Sequence, residues 1–200
     1  MASPMTDSIT TVHAESLARR PKRADARRNY DRLLAAAADA FTEHGSDASL
    51  EDIARRAGVG IGTLYRHFPT RQALLEAVYI GEVEEMSRSA EDLSHLDPWG
   101  ALTTWLRRYV RFANTKRALA SEMLATMEHD AQVFASCRGA IMTAGEMLLG
   151  RAQDAGVVRR DTSFIDVGRM VAGIAAIPTA DPEQIDRILD VALDGLRYRS

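Results

Sequence analysis

Residues 49–75, Ser-Leu-Glu-Asp-Ile-Ala-Arg-Arg-Ala-Gly-Val-Gly-Ile-Gly-Thr-Leu-Tyr-Arg-His-Phe-Pro-Thr-Arg-Gln-Ala-Leu-Leu, constrain this chain more than any other stretch. Leu50, Ile53, Ala54 and Ala57 recur at helical spacing, which gives a short helix one apolar face and leaves Glu51, Arg55 and Arg56 outside. Ser49 is placed to cap it, with Asp52 where a capping box more often has Glu or Gln, and Gly58 supplies the left-handed residue that stops it. Val59 and Leu64 anchor the next segment, and Gly60, Ile61, Gly62 and Thr63 between them let a second short helix, about 61–68, lie close to another surface. Pro69 forbids its continuation. Two short helices across a tight glycine turn make a helix-turn-helix. Its second helix presents Thr63, Tyr65, Arg66 and His67, whose hydroxyl, phenol, guanidinium and imidazole suit base edges and phosphates.

The flanks complete a domain around this motif. Over 26–44, Tyr30, Leu33, Leu34, Ala37 and Phe41 mark an amphipathic helix that Gly45 ends. It covers the Leu50, Ile53 and Leu64 side, because three helices are the smallest unit that gives a helix-turn-helix its own core. After Pro69, Thr70 caps a long helix containing Leu74, Leu75, Val78, Tyr79, Val83 and Met86. Its free N-terminal amides and Arg71 are placed to hold a phosphate. Asp97-Pro98 marks the break after it, and helices are predicted at about 99–116, 117–128, 131–155, 163–177 and 182–198. The expected fold is all-α, about nine helices. A basic tail at 1–25 precedes a three-helix DNA-binding domain at 26–70 and a second, C-terminal helical domain at 71–200.

The run Gly-Val-Gly-Ile-Gly-Thr-Leu-Tyr-Arg-His-Phe-Pro-Thr-Arg-Gln-Ala-Leu-Leu resembles the DNA-binding signature of the tetracycline-repressor (TetR) family of bacterial regulators. The specific part is Thr63-Leu64-Tyr65-x-His67-Phe68 with a basic residue, Arg71, three positions on, and the likeness extends over about 26–86. Gly60 and Ile61 depart from it, standing where a Ser and a polar residue are common; Gly still serves as an N-cap at a cost of a few tenths of a kcal/mol. The resemblance implies that Ile61, Gly62, Thr63, Tyr65, Arg66, His67 and Arg71 meet a palindromic operator. Tyr65, His67 and Arg71 would lie on the backbone or thymine methyls, and Thr63 and Arg66 nearest the base edges.

Two further sites are expected in the C-terminal part. The helix at 163–177 carries Ile165, Val167, Met170, Val171, Ile174 and Ala175 with almost no polar face, so it needs cover on two sides. The resemblance implies a homodimer joined by the last two helices, here through Met170, Val171, Ile174, Leu189, Leu193 and Leu196; a monomer core would also use these residues. Trp105, Tyr109, Phe112, Met123, Met127, Phe134, Cys137 and Ile141 concentrate aromatic and soft apolar side chains. They read either as a packed core or as the pocket for a small, largely apolar effector that the resemblance implies.

Composition agrees with a regulator. The net charge of −3 is unevenly spread: through Arg71 eleven Lys and Arg stand against nine Asp and Glu, and beyond it fourteen against nineteen. That suits a DNA reader on an acidic body. Lone Cys137 forms no internal disulfide, and no apolar run is long enough for a membrane span, so a cytoplasmic protein is expected. Arg19, Arg20, Lys22 and Arg23 end a flexible tail; they either touch phosphates or only add solvated charge. No catalytic constellation, metal site or cofactor motif is found, so the chain is expected not to be an enzyme and to need no cofactor. The expected function is transcriptional regulation, by a repressor released by a small molecule; the alternative is an all-helical carrier or enzyme without operator binding.

Overall fold

The computed structural model describes residues 20–126, 131–178 and 181–198, without the side chains of 114–126, 131–134, Ser46 and Pro182. Met123, Met127 and Phe134 of the expected pocket, and the tail before Arg20, lie outside this description. Among the described residues there are eight α-helices and no strand: α1 (Ala24–His44), α2 (Leu50–Arg56), α3 (Ile61–His67), α4 (Arg71–Asp92), α5 (Pro98–Thr126), α6 (Ala131–Asp154), α7 (Phe164–Ala175) and α8 (Pro182–Asp194). No described helix is long and apolar enough to cross a membrane.

Several helix starts arise from local chemistry. The side chains of Ser49, Thr70, Ser163 and Asp181 each accept the backbone N–H three residues on, starting α2, α4, α7 and α8. Ser163 and Asp166 make a full capping box. Ser49 and Asp52 make half of one, because Asp52 spends its carboxylate on Arg55 and Arg56 instead.

Two of the expected boundaries differ. Residues 98–126 form one helix where a division near 116 is predicted from the sequence. No proline or glycine stands in Ala113-Asn114-Thr115-Lys116-Arg117, so nothing interrupts the helical hydrogen bonds there. Helix α8 ends at Asp194 instead of running to 198. The chain beyond it pairs with 157–159: Arg159 N–H donates to the Leu196 carbonyl at 3.0 Å and Tyr198 N–H to that of Val157 at 3.2 Å.

Two apolar clusters hold the chain together. Tyr30, Leu33, Phe41, Ile53, Leu64 and Phe68 form the first, which Leu74, Leu75, Ala77 and Val78 of α4 complete. The N-terminal core therefore runs past the boundary expected at residue 70. The second is built on Ile80, Val83 and Met86 of α4 and on Trp105, Leu148, Phe164, Val171 and Leu189 from the later helices. Helix α4 packs against α1 on one side and α5 and α6 on the other. Tyr79 touches both clusters.

Candidate nucleic-acid interface

The turn between α2 and α3 closes on backbone chemistry. Gly58 takes φ +66°, and its N–H donates to the Arg55 carbonyl while that of Val59 donates to Ala54 at 3.0 Å. This pair of bonds is a Schellman stop, and the left-handed residue it needs costs a glycine nothing. Gly60 then caps α3 by backbone alone, its carbonyl taking the N–H of Thr63 at 2.8 Å. Leu64 and Phe68 are buried against α1, where the Phe68 ring lies 5.0 Å from that of Tyr30. Burying that side turns the opposite one outward: Ile61, Gly62, Tyr65 and Arg66 are exposed, Tyr65 at 46%. Thr63 sits on the flank, half-buried.

Two expected contact residues face elsewhere. The Arg71 guanidinium turns back into the chain, donating to the carbonyls of Ala48 and Gly45 and lying 5.0 Å from the Phe41 ring centroid. Where the sequence suggests a phosphate for Arg71, the structure shows two of its five N–H donors on the carbonyls of that corner and its face over the ring beneath. His67 is half-buried, its ring edge-on to Tyr30 at 6.1 Å, and its buried Nε2 has no hydrogen-bond partner among the described residues.

The aromatic residues expected in a pocket come together. Trp105 and Tyr109 stack at 5.6 Å, Tyr109 and Phe112 at 6.1 Å, and Trp105 donates from Nε1 to the Met86 carbonyl at 3.1 Å. Trp105 and Cys137 are fully buried and Ile141 nearly so, which makes them core of this chain, whereas Tyr109 and Phe112 are half-buried. Tyr79 of α4 joins them and was missed, because the sequence presents it only as one apolar position of a connecting helix. Burial pushes its phenol up to about 12, with Cys137 adding to the shift, and raises that of Tyr109 as well. A separate groove of about 500 Å³ opens between α1 and α4, lined by Leu34, Ala38, Gly81, Glu85 and Arg88.

The expected dimer residues are mostly turned inward. Val171, Ile174, Leu189, Leu193 and Leu196 are buried within the single chain and Met170 is half-buried, so they serve its own core. The outward apolar residues of the same region are Ile165, Ile177, Val191 and Tyr198, between 36% and 76% exposed. Ala172, Gly173 and Ala176 lie exposed between the first two.

Residues 33–78 match the family described as bacterial regulatory proteins, tetR family, and residues 97–198 the C-terminal domain of SbtR-like transcriptional regulators. The solved TetR transcriptional regulator SCO0520 from Streptomyces coelicolor is 41% identical, with 85% of this chain and 99% of that one covered at a TM-score of 0.75. The chain belongs to the TetR family. A TetR regulator from Mycobacterium vanbaalenii is 35% identical over 89% of this chain and 100% of that one, at a TM-score of 0.73. The HTH-type transcriptional regulator UidR of Escherichia coli strain K12 is 27% identical over 172 residues, 83% of this chain and 88% of that one. This TetR-family chain is thus a DNA-binding transcriptional regulator, with α2 and α3 as its helix-turn-helix.

His67 gives this TetR-family head a pH dependence of known sign. Desolvation holds its imidazole below the usual 6.5, and the nearby Arg66 charge adds to that. A base whose folded pKa is depressed opposes folding when protonated. Its contribution is complete above about pH 6.5 and is lost as the pH falls from there through the folded value. Thermal midpoints measured from about pH 8 to pH 5 should fall more steeply for the parent than for His67→Gln. Parallel curves would show that the buried Nε2 is not a cost to the protonated head.

Proposed function

We propose that this regulator is a homodimer that represses transcription by placing α3 of each subunit in successive major grooves of a palindromic operator. The outward face of α3 supports this reading: the exposed Tyr65 and Arg66 stand beside Ile61 and Gly62, with Leu64 buried behind them. Arg66 offers a fork to guanine or phosphate, Tyr65 a phenol to the backbone, and Ile61 an apolar contact for a thymine methyl. Arg23, Arg27 and Arg28 add positive charge at the start of α1. The chemistry is binding, with no catalytic step.

The effector in this reading is a small, largely apolar molecule that meets Tyr109 and Phe112 of α5 and Tyr79 of α4. A ligand wedged there bears directly on α4, whose other end completes the core of the DNA-binding head. Two reading helices must lie about 34 Å apart to match one turn of DNA, so a tilt of α4 breaks the fit without touching α3. The ligand must favour the tilted state: tenfold release needs about 1.4 kcal/mol of differential affinity. The dimer would form on the outward residues of α7 and α8, Ile165, Ala172, Gly173 and Val191.

Selection of duplexes from a random-sequence pool tests the operator reading, and the winner should be palindromic and bound in a salt-dependent way. Tyr65→Ala or Arg66→Ala should weaken it by about 1–3 kcal/mol per subunit. Undiminished affinity in both variants would remove α3 from the interface.

A further inference from the structure

Arg71 is the first residue of α4, and its side chain reaches back across more than twenty residues of sequence. It donates from Nη1 to the Ala48 carbonyl and from Nη2 to the Gly45 carbonyl at 3.4 Å, and its Cζ lies 5.0 Å from the Phe41 ring centroid. These three partners bracket one corner. Phe41 is fully buried in the last turn of α1, Gly45 closes that helix at φ +53°, and Ala48 precedes the Ser49 cap of α2. The Gly45 carbonyl also takes the Ala48 N–H at 3.3 Å, so the corner is tied to itself and to α4 in one place. A guanidinium suits this because its planar, rigid fork spans two carbonyls while its face covers a ring; an ammonium has the donors but neither the plane nor the fixed fork, so it meets all three partners less well.

We infer that Arg71 is a positioning residue, a strut that locks the helix-turn-helix to α4 and makes no contact with DNA. This rests on the proposed function, in which α3 meets the operator and α4 carries the response. Around the strut, α4 meets the head through Leu74, Leu75, Ala77 and Val78, apolar contacts with little directional preference. The hydrogen bonds to the corner give the joint its direction, so a tilt of α4 carries α2, and with it α3, along.

Two readouts decide the matter. With a duplex selected from a random pool by the parent protein, Arg71→Gln and Arg71→Lys should each bind about tenfold or more weakly, with the slope of log Kd against log salt unchanged. A side chain seated on a phosphate gives the reverse: Arg71→Lys keeps most of the affinity, and Arg71→Gln lowers the slope by about 0.9 for each phosphate no longer neutralised. That pattern overturns the inference. The second readout needs no DNA. Spin labels on the full chain at Arg55→Cys in α2 and Glu91→Cys near the end of α4 report the joint, and labels at Gln72→Cys and Glu91→Cys report α4 alone; Cys137, the chain's own thiol, is buried. Both Arg71 variants should broaden the first distance distribution and leave the second unchanged. An unbroadened first distribution overturns the strut, as does equal broadening of both, which means general loosening. If no duplex is selected, the operator reading fails while the label distances still decide Arg71.

Discussion

Gly145→Ala is expected to destabilise the C-terminal part of the chain by about 3 kcal/mol, enough to lower the thermal midpoint by about 6–12 °C. Two effects oppose one another here. Alanine gains about 1 kcal/mol over glycine inside a helix, and Gly145 lies well within α6. Against this, a Cβ at that position falls 2.0, 2.2 and 2.3 Å from Cζ, Cε2 and Cε1 of the Phe164 ring. No rotation of the alanine relieves three such contacts, so the ring or a backbone must move. The ring has little room: Phe164 is 2% exposed and packs edge-on to Trp105 at 5.8 Å. Trp105 in turn begins the stack that runs to Tyr109 and Phe112, so the displacement spreads into the proposed effector site. Circular dichroism melts of the parent and Gly145→Ala measure the loss, and adding Phe164→Leu should restore part of it. A midpoint raised by Gly145→Ala would show that helix propensity wins and that the ring yields freely.

The second large effect concerns assembly. Val191→Asp should convert the proposed dimer to a folded monomer, because a two-fold contact through this face would bury both copies of the new carboxylate, at several kcal/mol each. Val191 is 76% exposed in the single chain, so the substitution leaves the chain's own packing untouched. A charge at Ile174 or Leu193 would not be informative in the same way: both are buried within one subunit, and the variant would report on folding. Sedimentation equilibrium of parent and Val191→Asp, with circular dichroism to confirm the helices, reads the outcome. A dimer of unchanged affinity would place the interface elsewhere.

The helix-turn-helix was legible in the sequence because it depends on local chemistry. Ser49 and Thr70 cap their own helices, Gly58 takes a conformation that suits few other residues, and Pro69 ends α3 whatever lies around it. The outward placement of Tyr65 and Arg66 comes from Leu64 and Phe68 by helical periodicity alone. Periodicity also read α7 as apolar nearly all round. It could not say which side meets its own chain, since Ile165 and Val167 are equally apolar and only packing sends the first outward and the second inward. The direction of Arg71 is of the same kind: a flexible cation beside a helix start suits a phosphate until carbonyls from residues 45 and 48 come within its reach. Tyr79 became part of an aromatic cluster only when α4, α5 and α6 met, and Gly145 became irreplaceable only when Phe164 landed on it. Caps, turns and amphipathic faces are set by residues a few positions apart, whereas the direction of Arg71, the aromatic stack and the outward face of α7 and α8 are set by pairs that the chain brings together only by folding.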